Sequence, residues 1–113
     1  MLPAANRLRT GRDFARTTKT GVRATSPSLV LYVLARADLP IGPKFGLIVN
    51  KSVGGSVTRH RISRQLRHLI SPELASFPTT SQIVIRVLKN RSQYSEELTS
   101  LVNQVQQKLR VSS

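Results

Sequence analysis

Apolar residues follow two rhythms along this chain of 113 residues. The first has a period of two and marks strands. From Ser28 to Arg36, Leu29, Leu31 and Val33 alternate with Val30, Tyr32 and Leu34, so cover is expected on both faces of that strand. From Lys44 to Asn50, Phe45, Leu47 and Val49 take one side and Ile48 the other. From Gln82 to Leu88, Ile83, Ile85 and Val87 oppose Val84, Arg86 and Leu88. The breaker-rich stretch 37–43 separates the first two strands, which are expected to pair as an antiparallel hairpin.

The second rhythm is helical. Leu98, Leu101, Val102, Val105 and Leu109 form an apolar stripe, read as core, after Ser95 as cap and Glu96 and Glu97 in the first turn. A second helix is predicted from Val57 to Ile70 and ended by Pro72. A third starts near Thr10, where Asp13 completes a capping-box-like pair, and stops at Gly21. Phe14 is its one large apolar residue, so it must lean on tertiary contacts. Residues 1–9 are expected to be extended. The order helix, strand, strand, helix, strand, helix predicts an α/β sandwich over a single domain, 1–113, with helices covering one face of a small sheet.

Charge changes the picture. Eighteen Lys and Arg, thirteen of them Arg, face five Asp and Glu, a formal net charge of +13. Such an excess repels itself until a polyanion relieves it, and Arg pairs bidentately with phosphate. Nucleic acid is the expected partner. A membrane is not, because no stretch approaches the roughly 20 apolar residues of a spanning helix and the start has no signal-peptide core. A cytoplasmic location is expected. The chain has no Cys, which removes thiol chemistry and Cys-ligated zinc.

No acid occurs between Asp38 and Glu73. Wound at 3.6 residues per turn, the helix in this gap puts Ile62, Leu66, Leu69 and Ile70 on one side. His60, Arg61, Arg64, Arg67 and His68 fall on the other, with Arg59 near the apolar side in the first turn. Such a helix packs by one face and offers guanidinium groups by the other, which suits phosphates along a folded RNA. The plainer alternative is a solvated basic face. His60 and His68 read as part of that face, since no carboxylate or second ligand set lies at a useful spacing.

The run Gly46–Arg67, reading Gly-Leu-Ile-Val, then Lys51, Val53-Gly54 and Arg59-His60-Arg61, resembles the signature of the bacterial ribonuclease P protein family. Asn6-Arg7-Leu8, Arg12-Asp13-Phe14 and Leu29-Val30-Leu31-Tyr32 match in order as well. The resemblance implies a mixed four-stranded sheet in the order αβββαβα, with a fourth strand near Arg23–Ser26 and a left-handed βαβ crossover. It implies a catalytic RNA subunit that carries the active site and its magnesium ions, with none bound tightly by the protein. The implied partners are ribonuclease P RNA and precursor tRNA, with one protein copy in the holoenzyme. Carried over, Lys51, Arg59, His60, Arg61, Arg64 and Arg67 would contact that RNA. Arg12, Phe14 and Tyr32 would bind the 5′ leader. Phe14 could instead only anchor its helix, and Tyr32 could be a half-buried core residue. His60 replaces the family's Asn, Ser63 a usual Lys, Gln65 a usual Arg, and Thr18 stands where a second aromatic is common. A stand-alone RNA-binding protein of ribosomal or chaperone type is the competing reading. A protein-only nuclease is disfavoured because Asp13, Asp38, Glu73, Glu96 and Glu97 are scattered along the chain.

Overall fold

The computed structural model describes residues 7, 8 and 10–112. Its elements run α1 (Gly11–Thr20), β1 (Val22–Thr25), β2 (Leu29–Ala35), β3 (Lys44–Val49), α2 (Ser56–Ile70), β4 (Ser81–Val87) and α3 (Ser95–Ser112). Short 3-10 turns at Lys51–Val53 and Ser71–Ser76 flank α2. Of the predicted extended start, residues 1–6 and 9 lie outside the described residues. Arg7 bridges Phe45 in parallel, and the Leu8 amide donates to the Phe45 carbonyl at 2.8 Å.

The four strands form one sheet in the order β1-β2-β4-β3. β2 pairs antiparallel with both β1 and β4, whereas β3 pairs parallel with β4. The expected β2–β3 hairpin is therefore wrong: β4 lies between those strands. The physical reason is burial. β4 carries apolar residues on both faces and is almost wholly buried, so it belongs at the centre. The loop from Arg36 to Pro43 crosses the end of β4 and is pinned there. The Arg36 amide donates to the Thr80 carbonyl at 3.1 Å and the Gly42 amide to that of Thr79 at 2.6 Å. The strand implied near Arg23–Ser26 is present as β1, displaced by one residue.

The sheet has two unlike faces. Leu29, Leu31, Val33, Phe45, Ile83, Ile85 and Val87 point to the main core, where Ile62, Leu66 and Ile70 of α2 and Leu98, Leu101, Val102 and Val105 of α3 close over them. The opposite face carries a smaller cluster: Leu8, Val30, Tyr32 and Val84, with Phe14 and Ile48 packed against it. Helix α1 crosses that second face, with Leu8 beside it.

The caps agree with the sequence in part. Thr10 Oγ accepts from the Asp13 amide at 3.1 Å, and Gly21 ends α1. Being weak alone, α1 is tied to the sheet by the buried Thr17 hydroxyl, which donates to Gln82 Oε1 at 3.0 Å while also within 2.8 Å of the Asp13 carbonyl. Ser95 is the first residue of α3 rather than its cap, because the Leu98 amide already bonds the Tyr94 carbonyl. Glu97 also does more than favour a helix start. Its carboxylate accepts from Ser26 Oγ at 2.6 Å and the Ser28 amide at 2.9 Å, clasping α3 to the β1–β2 turn. Desolvation would raise its pKa, but these hydrogen bonds and the Arg91 charge hold it below the usual value.

A candidate nucleic-acid interface

Helix α2 offers three surfaces. Ile62, Leu66 and Ile70 are fully buried, as the helical spacing predicts. His60, Arg64 and His68 form the exposed crest. Between core and crest lie two half-buried flanks. Arg59, Ser63 and Arg67 line one flank; with Leu47 and Val49 of β3 they bound an open cleft of about 400 Å³. Arg61 and Gln65 hold the other flank against the β4–α3 loop.

On that second flank Arg61 donates to Asn90 Oδ1 at 2.5 Å, to the Arg91 carbonyl at 3.3 Å and to Gln65 Oε1 at 3.2 Å. Gln65 in turn donates to the Ser92 carbonyl at 3.1 Å. Arg61 thus does not stand free on the crest, where the helical wheel alone would put it. All its acceptors are neutral. Among the described residues no α2 arginine has a carboxylate partner; the ion pairs seen are Asp13–Arg16 at 3.7 Å and Arg36–Asp38 at 2.5 Å.

The cleft flank concentrates unbalanced charge. Arg59 Nε is buried with no hydrogen-bond partner. Burial lowers the Arg67 pKa, and the nearby Arg7 charge lowers it further. Two like charges held together without an acid are stabilised by an anion between them. Arg7 is a contributor that charge counting alone could not single out; its place follows from the bridge to the β3 edge. The start of α2 adds to this field. Gly55 supplies no side-chain cap and the first turn holds no acid, so the helix dipole is uncompensated there. Lys51 sits exposed in the 3-10 turn just before it.

The second sheet face meets this surface at the β3 edge. Arg7 lies beside Arg67, while its neighbour Leu8 joins the cluster around Phe14. Phe14 is half-buried and lies directly over Gly46; a Cβ there would come within 2.3 Å of the ring. Tyr32 points to this face, as the alternation requires, but is only 8% exposed within the cluster of Leu8, Val30 and Val84. Tyr32 is thus a buried residue of this cluster and not a ring open to a leader: Leu8 and α1 pack over the face, and Phe14 and Ile48 are its partly buried apolar residues. Arg12 is exposed in the first turn of α1.

The acids do not converge. Among the described residues no three His, Asp or Glu side chains are grouped to hold a metal ion. No helix among the described residues is long and apolar enough to cross a membrane.

A mixed sheet with α2 and α3 on one face, α1 across the other and an uncompensated arginine surface beside it define a small α/β protein suited to a polyanion. The sequence profile of the ribonuclease P family matches residues 2–110. A ribonuclease P protein component from Mycobacterium sp. (strain KMS) is 46% identical over 88 residues, covering 78% of this chain and 75% of that protein. One from Corynebacterium diphtheriae is 40% identical over 102 residues, covering 86% of each. The chain belongs to the ribonuclease P protein family. The fold agrees: the Staphylococcus aureus RNase P protein superposes with a TM-score of 0.64 at 23% identity, covering 94% of this chain and 90% of that one. The Thermotoga maritima protein gives 0.59 at 24% identity, covering 91% and 90%.

Proposed function

We propose that this chain is the protein subunit of a bacterial ribonuclease P, and that it assists the endonucleolytic removal of 5′ leaders from precursor tRNA without supplying catalytic groups. Arg59 and Arg67 in the cleft, Arg64 and His60 on the crest, and Lys51 before the helix grip the catalytic RNA. Arg61 reinforces them while holding the β4–α3 loop. Phe14, with Arg12 at its side and Tyr32 supporting it from below, receives the unpaired leader on the second face. One base stacked on an aromatic ring contributes roughly 1–3 kcal/mol and tolerates any sequence. The magnesium ions of the reaction belong to the RNA partner. A single copy acts in the cytoplasm.

The observation that carries this reading is the set of α2 arginines left without carboxylates, including a buried Nε with no acceptor. Internally neutralised arginines would have no need of a polyanion. Reconstitution tests it. The protein is mixed with the ribonuclease P RNA of its own organism, and precursor-tRNA cleavage is followed at low magnesium. Cleavage by the mixture well above that of RNA alone, and none by pure protein, is expected. Equal rates with and without the protein would refute the subunit role.

A further inference from the structure

We propose that Arg86 is a phosphate-binding residue in the floor of the second sheet face, and that it holds the backbone of the unpaired RNA strand laid there. This rests on the leader-binding reading above and extends it to a residue with no role so far.

Arg86 lies on β4, an inner strand, where charge is out of place. Its register partners are Val30 on β2 and Ile48 on β3. Its side chain therefore rises between two apolar neighbours, one row along from Tyr32, Val84 and Gly46. Its Nε is buried and has no hydrogen-bond partner. The residue as a whole is only half-buried, so part of it meets solvent beside that buried nitrogen. A guanidinium N–H removed from water and left unpaired is destabilising, and such a group in a folded protein calls for an explanation.

The missing acceptor does not come from the sheet. The strands direct Arg23, Thr25, Val30, Tyr32, Leu34, Lys44, Gly46, Ile48, Gln82, Val84 and Arg86 to this face, and none of these is acidic. An acceptor from outside completes Arg86. Since Ile48 beside it and Phe14 over Gly46, one row along, are suited to bases, the charged group is suited to a phosphodiester oxygen. A guanidinium takes two such oxygens in a fork geometry that requires no particular base. The clamp therefore fixes register along the strand and leaves its sequence free.

The test uses the reconstituted holoenzyme carrying Arg86→Gln or Arg86→Met, the latter keeping the apolar stem. Binding is measured for leader-bearing precursor tRNA, for mature tRNA and for precursors with single methylphosphonate linkages scanned along the leader. Both variants are expected to bind the leader-bearing substrate about tenfold more weakly, whatever the leader sequence, and mature tRNA unchanged. One methylphosphonate position should weaken the unaltered protein by a similar factor and the variants not at all. An unchanged affinity, a loss confined to guanine-containing leaders, or an equal loss for mature tRNA accompanied by a lower melting temperature would each overturn the proposal. Phe14→Ala separates the two levels of the argument. If it weakens leader-bearing substrate selectively and Arg86→Gln does not, only Arg86 fails; if neither variant does, the groove itself fails.

Discussion

At the scale of single residues, Gly46 shows how the second face is made. Any side chain there would collide with Phe14, since a Cβ would lie 2.3 Å from its Cζ and 2.5 Å from its Cε1. Both atoms are at the tip of a half-buried ring, which must rotate or lift to make room. Gly46→Ala is thus expected to lift Phe14 and to weaken leader-bearing precursor tRNA several-fold in the holoenzyme, with mature tRNA little affected. Adding Gly46→Ala to Phe14→Ala should cost far less than adding it to the unaltered protein. Binding titrations of the four proteins would expose the error if the two effects were additive. The sequence shows the glycine and the aromatic 32 positions apart but cannot show that they touch.

At the scale of elements, α2 is best understood as a helix with two different flanks. One flank is committed to structure through Arg61 and Gln65, which together hold three successive residues of the β4–α3 loop. The other leaves Arg59 and Arg67 uncompensated beside β3. These flanks should respond differently to neutralisation. Arg59→Gln with Arg67→Gln is expected to lower the magnitude of the log–log salt slope for catalytic-RNA binding by about 1.5–2, the contribution of two phosphate contacts. Arg61→Gln is expected to reduce thermal stability as well as affinity. Salt titrations monitored by fluorescence anisotropy would decide, and an unaltered slope for the Arg59 and Arg67 pair would remove that flank from the interface. Periodicity located this helix to within a residue and found its apolar side. It could not divide the remainder into flanks, because that depends on which neighbours stand on either side.

At the scale of the whole molecule, a formal charge of +13 on 113 residues opposes folding through self-repulsion. In the cleft between β3 and α2, Arg67 is under the Arg7 charge, so an anion held there relieves part of that repulsion. Millimolar sulfate is expected to raise the melting temperature at low ionic strength by several degrees more than chloride of equal ionic strength. Arg67→Gln should shrink this difference. Differential scanning calorimetry checks both, and identical curves in the two salts would show that no anion site exists in the free protein.

Sequence alone determined which segments are helix and strand, which side of each is apolar, and that an acid-free basic segment lies on a helix. Local periodicity and charge suffice for that, because they are properties of neighbours along the chain. β1 was legible only through the family resemblance, since a four-residue strand has too few alternations to register. Tertiary structure alone decided that β4 lies between β2 and β3, that Tyr32 is covered, that Glu97 clasps a distant turn, and that Arg7 and Arg86 stand without acids beside them. Each depends on burial competition and on contacts between residues far apart in the chain, where no local pattern carries the information.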